Sequence, residues 1–237
     1  TLPMPDATLP PGPPSDRARV RRLADKARYD RATIDAILDA GLIAHVGLIA
    51  ADGSPVVIPT AYARQGDRVL VHGSAASRMI RTGAGGAAMS LAVTHLDGMV
   101  VARSLFESSM AYRSVVIVGN AVPIDDPEEK LDALLHLSDR LLPGRVGEAR
   151  RPTDKELAAT RVFALPLDEA TAKVSDHTID DAADDLTLPI WAGFIPLELV
   201  SGSPVSAPDL APGVPVPQSV AGWTPTRAAE PHRSSEY

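Results

Sequence analysis

The chain contains no cysteine and no long uninterrupted apolar segment. The absence of cysteine excludes disulfides, thiol catalysis and thiolate metal sites. A helix that crosses a bilayer needs roughly 18 consecutive apolar residues, and the sequence holds no such run. Positive charge is also scarce, because 23 basic residues oppose 30 acidic ones and the net charge is −7. Since a nucleic-acid surface normally carries a basic footprint, we expect neither a nucleic-acid partner nor a membrane partner.

Several familiar catalytic motifs are missing as well. The sequence has no Walker loop, no HExxH and no GxSxG, and the GAGG at residues 83–86 lacks the spacing of a dinucleotide fingerprint. The six histidines are widely separated, so no adjacent pair of metal ligands exists. The acidic run at residues 176–185 lacks the glycine and the closing glutamate of a calcium loop. We therefore predict a solvated surface loop there and no metal site.

Both ends of the chain are rich in proline. Residues 1–16 lack the basic start and the apolar stretch of a secretory signal, so a cytoplasmic location is the default expectation. Residues 201–237 form a tail with little periodic pattern, and we expect both termini to be extended or disordered. An extended tail can also wrap a neighbouring subunit, with Trp223 as a candidate anchor. This leaves one ordered domain at residues 17–200, a length that can bury a sizeable core.

Between the termini, short β-rich segments alternate with a few helices. Asp30, Asp126 and Thr153 are each placed to cap a helix, and the first helix has its stop at Gly41. The predicted strands cover residues 42–50, 55–63, 68–73, 87–96, 98–106, 112–124, 160–167 and 188–197, with tight turns that include LDG at residues 96–98. Many short strands with tight turns favour a mainly β (α+β) fold, a small antiparallel barrel, over a βαβ sheet.

The segment RVLVHGSAASRMI, residues 68–80, passes from a strand into glycine, serines and alanines before one arginine. If a helix begins near residues 74–76, free backbone N–H groups and hydroxyls meet there with the positive end of the helix dipole. Ser77 would add a hydroxyl donor, and Arg78 a guanidinium suited to phosphate. The alternative is that Ser74 merely caps the helix while Arg78 is solvated, and caps are far commoner than phosphate sites.

Five motifs occur in the order seen in the pyridoxamine 5′-phosphate oxidase-like flavoproteins. They are YDRATIDAILDAG, PVVIPTAYA, VLVHGSAASRM, LDGMVVARSLFESSMAYRSVVIVG and LPIWAGFIPL, and they span roughly residues 20–200. The chain most resembles the branch of nitroimidazole-resistance (Nim-like) proteins, and several motifs in a fixed order are more specific than any one of them. The resemblance implies an FMN-binding split β-barrel that works as a homodimer, with flavin in clefts between the two subunits.

The resemblance also implies three groups of cofactor-binding residues. The strand along the flavin ring would contribute Ile58, Pro59, Thr60 and Tyr62. The segment beside the ring, the ribityl chain and the phosphate would contribute His72, Gly73, Ser74, Ser77 and Arg78. Later strands would contribute Ser109, Tyr112 and Arg113, and would bring Trp191 towards the partner's flavin. Among these residues, His72 is the first candidate for a catalytic acid or base.

The same residues have structural alternatives. His72 is equally an ordinary strand histidine with a satisfied hydrogen bond, and Tyr62 and Tyr112 are candidate core aromatics. Arg113 has many carboxylates with which to form an ion pair, and the large ring of Trp191 suits packing.

The chain departs from the family's pattern near the expected cleft. Glu107 and Ala111 stand where histidines and an asparagine are frequent, and Ser175 stands where a basic residue is common. These changes make the site less cationic, so the family's substrate preference does not transfer. The C-terminal segment is acidic and proline-rich where pyridoxamine phosphate would need a second phosphate site, so we expect no turnover of that compound.

The leading hypothesis is an FMN-dependent oxidoreductase that transfers hydride to or from a small molecule. Two alternatives remain open: a non-catalytic carrier of flavin or of another small ligand, and an F420-dependent reductase of the same fold.

Overall fold

The computed structural model describes residues 12–225. The helices are α1 (Arg31–Ala40), α2 (Arg78–Ala84), α3 (Pro127–Leu141), α4 (Arg145–Glu148), α5 (Asp154–Ala159) and α6 (Gln218–Ala221). The strands are β1 (Ala27–Arg28), β2 (Ile43–Ile49), β3 (Pro55–Gln65), β4 (Arg68–Ser74), β5 (Ala88–Val101), β6 (Ser109–Asn120), β7 (Val122–Ile124), β8 (Thr160–Pro166), β9 (Ala170–Ser175) and β10 (Gly193–Pro196). They pair antiparallel in the order β1-β9-β6-β5-β2-β3-β4-β8-β7, with β10 on β5. The predicted mainly β antiparallel fold is confirmed.

The three capped helices form where the sequence predicts them. The Asp30 side chain accepts a hydrogen bond from the backbone N–H of Thr33, at 2.8 Å, at the start of α1. Asp126 caps α3, and Pro127 occupies its first position. Thr153 begins a reciprocal capping box at α5. Each cap satisfies backbone donors that the helix itself cannot satisfy, and contributes about 1 kcal/mol.

The β5–β6 hairpin differs from the prediction. The expected tight turn at residues 96–98 does not form; β5 runs through this segment with a bulge at Asp97, and the chain reverses at residues 102–108. A Cβ atom on Gly98 would clash with the ring of Phe194 and the carbonyl oxygen of Ile195. The glycine therefore serves the close approach of β10 to β5, and the LDG signal was wrongly interpreted as a turn.

Strand β9 was not predicted, and the strand predicted at residues 188–197 is shorter than expected. The sequence of β9, ATAKVS, contains two alanines, which have a weak strand preference. The strand is stabilised by its place between β6 and β1. Within residues 188–197, only β10 pairs with the sheet.

The hydrophobic core consists of two clusters on opposite faces of the barrel wall. The larger cluster fills the interior, where Ile34 and Leu38 of α1 meet Tyr62 of β3 and Phe163 of β8. The smaller cluster lies outside the wall, where α3 packs on β3, β4 and β8 through Leu137. The two faces alternate along each strand, so neighbouring residues of β3 serve different clusters.

The C-terminal segment leaves β10 and returns to the end of α3. The indole N–H of Trp223 donates a hydrogen bond to the carbonyl of Leu141 at 2.8 Å, so within the chain Trp223 anchors the segment to α3. Its wrapping of a neighbouring subunit stays a prediction. The parts of the predicted extended termini at residues 1–11 and 226–237 lie outside the described residues. No helix within residues 12–225 has the length and hydropathy to cross a bilayer.

Candidate functional site

Strand β3 changes its neighbour halfway along its length. Residues 55–61 pair with β2, whereas residues 62–65 pair with β4. Beyond this point β4 continues to residue 74 and pairs with β8 alone. The two strands therefore stop pairing at Ala61, and we call the region between the end of β4 and the unpaired second edge of β3 the cleft. Among residues 12–225 no strand covers that edge, so its backbone N–H and C=O groups can bond a ligand.

His72 lies where β3 and β4 separate. It is half-buried, and its Nδ1 is buried with no hydrogen-bond partner among residues 12–225. Burial lowers the pKa of the His72 imidazole, because the charged form loses its hydration. At neutral pH the ring is therefore uncharged, and it can accept a proton or bind a metal. The sequence-based alternative of a satisfied strand histidine does not hold within this chain.

The turn after β4 presents hydroxyl groups and one arginine at the mouth of the cleft. The Ser74 hydroxyl accepts a hydrogen bond from the backbone N–H of Ala76 at 3.2 Å, so it stabilises the turn. The helix predicted to begin near residues 74–76 begins later, at Arg78, with Ser77 and not Ser74 as its N-cap residue. The Ser77 hydroxyl makes no capping hydrogen bond. Arg78 is exposed and has no ion pair with another described residue. Ser77 and Arg78 thus both remain available to an anionic ligand.

Gly73 lets α2 pack closely against the end of β4. A Cβ atom at this position would lie 3.0 Å from Cγ1 of Ile80, which is tighter than an ordinary contact. Ile80 is fully buried and cannot move aside. The glycine therefore fixes the distance between the strand end and the turn that carries Ser77 and Arg78.

Three of the four predicted residues on β3 have side chains on the interior face of the barrel. Ile58 packs against the interior cluster. Tyr62 is 1% exposed, and its hydroxyl donates a hydrogen bond to the carbonyl of Leu38 at 2.6 Å. Thr60 lies between Ile58 and Tyr62 on the same face of the strand, whereas Pro59 is exposed on the opposite face. Contact between this part of β3 and a ligand would therefore use the backbone and Pro59.

Replacing Tyr62 with phenylalanine is expected to lower the free energy of unfolding by about 1 kcal/mol, the usual contribution of a neutral buried hydrogen bond. The affinity for flavin should not change, because the hydroxyl points to α1. Urea unfolding of the apo-protein and a flavin titration measure the two quantities. A loss of flavin affinity at unchanged stability would place Tyr62 at the cofactor, as the family resemblance implies.

The remaining predicted residues lie on another part of the sheet. Ser109, Tyr112 and Arg113 belong to β6, and β5 and β2 stand between β6 and β3. At about 4.8 Å between neighbouring strands, β6 lies about 14 Å from β3. Trp191 precedes β10, which is bound to β5, and is 66% exposed. Within one chain, the β3–β4 group and the β6 group do not meet.

Arg113 forms a two-pronged ion pair with Asp97, with distances of 2.6 and 2.8 Å. Asp97 is a residue that the sequence analysis missed, because it was assigned to a turn. The sequence does place a carboxylate, Asp97, and a guanidinium, Arg113, on two adjacent β-rich segments. These two groups can pair only if β5 continues through the bulge. The pair fixes the orientation of Arg113 and leaves little of its charge for a ligand.

The acidic run at residues 176–185 is also held more firmly than predicted. The Asp181 side chain is 1% exposed and lies 2.6 Å from a guanidinium nitrogen of Arg103. This ion pair ties Asp181 to the loop that connects β5 and β6, whereas most of the run is exposed to solvent as predicted. No group of three or more His, Cys, Asp or Glu residues within 12–225 is arranged to hold a metal ion.

An antiparallel barrel whose strands part to leave an open cleft is a split β-barrel, the fold class that the sequence predicts. The family model described as pyridoxamine 5′-phosphate oxidase matches residues 30–174, more than half of the chain. The chain therefore belongs to the pyridoxamine 5′-phosphate oxidase family, and the predicted resemblance is confirmed.

Two solved structures are similar to the chain over almost their whole length. The FAD and heme binding protein from Mycobacterium smegmatis is 43% identical, with a TM-score of 0.81 over 84% of this chain and 98% of that chain. The flavocytochrome Anf3 from Azotobacter vinelandii is 39% identical, with a TM-score of 0.85 over 90% of this chain and 99% of that chain.

A third structure, described as a 5-nitroimidazole antibiotic resistance protein from Bacteroides thetaiotaomicron, is 22% identical. Its TM-score is 0.53 over 62% of this chain and 86% of that chain, which shows the fold alone. No protein with a curated description matches the chain.

Proposed function

We propose that the protein is a flavin-dependent oxidoreductase that holds its flavin nucleotide in the cleft between β3 and β4. The observation that carries the proposal is the divergence of these strands beside the free hydroxyl of Ser77 and the unpaired guanidinium of Arg78. These two groups would bind the phosphate through charge-assisted hydrogen bonds. The free backbone edge of β3 would bond the polar edge of the ring. The flavin itself supplies the hydride chemistry.

The proposed form of the flavin is FAD, although the family resemblance alone implied FMN. The similar structure at 43% identity is described as binding FAD and heme, and the one at 39% identity as a flavocytochrome. FMN and FAD share the ribityl phosphate, so Ser77 and Arg78 have the same role with either. The two forms differ only in what lies beyond that phosphate.

A second redox group, heme, is favoured by the environment of His72. Heme iron requires an axial ligand, for which histidine is a frequent choice. The ring of His95 is hydrogen-bonded to the carbonyl of Ile37, and that of His136 to the carbonyl of Arg64. His72 instead has a buried ring nitrogen without a partner among residues 12–225. Of these three histidines, His72 is the one whose ring would be free to bind the iron, and heme would supply one-electron chemistry there. Without heme, the same uncharged imidazole would act as the catalytic base.

A homodimer would complete the cleft. The outer face of β2, β3 and β6 exposes apolar side chains, namely Ile43 (58%), Ile49 (62%), Val57 (67%) and Val116 (44%). A contiguous apolar face is normally covered by a partner. A second copy on this face can supply Ser109, Tyr112 and Trp191, which the single chain keeps away from its own cleft. The small-molecule substrate would then bind between the two copies.

A visible spectrum of the purified protein, with mass spectrometry of the released ligand, tests the proposal. We expect flavin absorption bands and an FAD mass, together with a Soret band where heme is bound. FMN or F420 in the released ligand would correct the cofactor but keep the site. Absence of flavin bands after incubation with FAD and FMN would contradict the proposal. A bound flavin that neither NADH, NADPH nor dithionite reduces would indicate the non-catalytic carrier.

His72 also makes a prediction about stability in acid. Because its pKa is lowered in the folded state, the unfolded chain binds the proton more readily. The contribution of His72 to stability is present above the ordinary histidine pKa of about 6.5 and is lost as the pH falls through the lowered folded value. His72→Leu should therefore flatten this acid loss in urea unfolding of the apo-protein, and should abolish any Soret band of the loaded protein.

The control for this prediction is His177→Leu, which changes an exposed histidine between β9 and β10, outside the proposed dimer face. It should keep the wild-type pH profile of stability. Equal pH slopes in the wild type and in His72→Leu would contradict the assigned environment of His72.

A further inference from the structure

Residues 16–28 form a basic segment on an acidic protein, and we call this segment the basic arm. It holds six basic and two acidic side chains, an excess of four positive charges, whereas the whole chain has a net charge of −7. The rest of the chain therefore has a net charge of −11. Most of the basic side chains are exposed, namely those of Arg17, Arg19, Arg21, Arg22 and Arg28. Positive charge is thus concentrated on one part of the surface.

The basic arm is fixed to the edge of the sheet. The hydroxyl of Thr171 donates a hydrogen bond to the carbonyl of Ala18 at 2.7 Å. Residues 27–28 form β1 and pair with β9. The ammonium group of Lys26 lies 2.9 Å from the hydroxyl of Ser175, which it holds by a hydrogen bond. The charges are therefore presented on an ordered surface, and a partner would not have to order the arm.

The internal ion pairs of the arm leave its charge available. Arg21 lies 2.7 Å from Asp16, and both side chains are at least 70% exposed. Exposed ion pairs of this kind are weak and easily exchanged. Arg22 has no side-chain partner among residues 12–225. Arg17 is held by an ion pair with Glu169 outside the arm. The arm can therefore offer the guanidinium groups of Arg19, Arg21 and Arg22 to an acidic surface.

Leu23 lies in the middle of the basic arm in a left-handed backbone conformation. Its φ of 54° is the one positive value among the non-glycine residues in the range 12–225. A residue with a Cβ is strained there, and the Leu23 side chain is nonetheless 49% exposed. Leu23 thus places an exposed apolar side chain among the arginines of the arm, which a bound partner would cover.

We propose that the basic arm docks an acidic one-electron carrier protein, which reduces the bound flavin. Opposite charge would steer the carrier to the arm, and Leu23 would anchor it. In each encounter the carrier loses one electron and the bound cofactor gains it, with any proton taken from solvent. A long polyanion such as DNA would meet the negative charge of the remaining surface. This inference rests on the proposed flavin function.

The position of the arm supports this role. Lys26 bonds Ser175, and Ser175 pairs with Tyr112 on β6. Tyr112 belongs to the group that the second copy would bring to the cleft. A carrier on the arm would therefore stand next to the strand that closes the flavin site of the partner copy.

Stopped-flow reduction of the flavin-loaded full chain by a reduced plant-type [2Fe–2S] ferredoxin, an acidic carrier, tests the proposal. We expect the second-order rate constant to fall about 10-fold or more between about 20 mM and about 0.5 M salt, as steering is screened. The double variant R19E/R22E should lose about 10-fold at low salt, whereas Arg151→Glu, at an exposed arginine elsewhere, should not. Leu23→Gly removes the anchor and also relieves the strained φ, so its rate should fall while its Tm does not.

Equal rates for R19E/R22E and Arg151→Glu would overturn the proposal. So would binding of the arm to a DNA duplex or to phosphatidylserine vesicles that R19E/R22E abolishes while ferredoxin reduction stays at the wild-type rate. Dithionite reduction and the flavin content of each variant are recorded in parallel. If the wild-type protein retains no reducible flavin, the proposed function fails. If it retains reducible flavin and ferredoxin reduces the arm variants at the wild-type rate, only the docking proposal fails.

Discussion

Replacing Arg78 with glutamate is expected to weaken flavin nucleotide binding by at least about 100-fold. A hydrogen bond to a charged group contributes about 1.5–3 kcal/mol, and about 1.4 kcal/mol corresponds to a factor of ten. The new carboxylate adds repulsion to this loss, because it faces the phosphate directly. Arg78 is exposed and has no ion pair with another described residue, so the substitution leaves the fold intact. Titration of the apo-protein with FAD and FMN, followed by flavin fluorescence, gives both dissociation constants.

Riboflavin, which has the ring and the ribityl chain but no phosphate, is the matched ligand control for Arg78. If the guanidinium binds the phosphate, wild type and Arg78→Glu should bind riboflavin about equally. Arg151→Glu is the matched protein control, because it makes the same charge change at another exposed position. An equal loss of riboflavin and FMN affinity in Arg78→Glu would show that the arginine shapes the cleft and does not recognise the phosphate.

The part of the site that could be predicted from the sequence is the part formed by local chain geometry. The strand, glycine, hydroxyl turn and arginine of residues 72–78 lie together because they are consecutive. The helix caps at Asp30 and Asp126 are local in the same sense. Each of these features depends on interactions within a few residues, so the sequence pattern was sufficient.

Features that depend on pairing between distant strands could not be predicted in the same way. The partner change of β3 at Ala61 requires knowledge of where β2 and β4 lie. The same pairing decides that Ile58 and Tyr62 face the interior, since a shift of one residue would reverse both faces. The bulge at Asp97 has the local composition of a turn, and only its pairing with β6 and the packing of β10 on Gly98 decide otherwise.

Replacing Val57 with aspartate is expected to convert the proposed homodimer into a monomer. Val57 lies on the exposed outer face of β3 and is 67% exposed in the single chain. An unpaired charge buried at an interface costs about 3–5 kcal/mol, and both copies carry it. The Kd of the dimer should therefore rise by about 10⁴-fold or more. Sedimentation velocity and native mass spectrometry measure the oligomeric state together with the flavin that each species retains.

Val205→Asp is the matched control, because it introduces the same charge at an apolar side chain that is 94% exposed in the C-terminal segment. It should leave the dimer unchanged if the outer face of β3 is the contact. The Val57 variant should also lose flavin, because Tyr112 and Trp191 would no longer reach the cleft of the other copy. A Val57→Asp monomer that keeps wild-type flavin affinity would show that each chain holds its cofactor alone. Since β5 and β2 separate β6 from β3, the site would then consist of the β3–β4 cleft and the Ser77–Arg78 turn without any residue of β6.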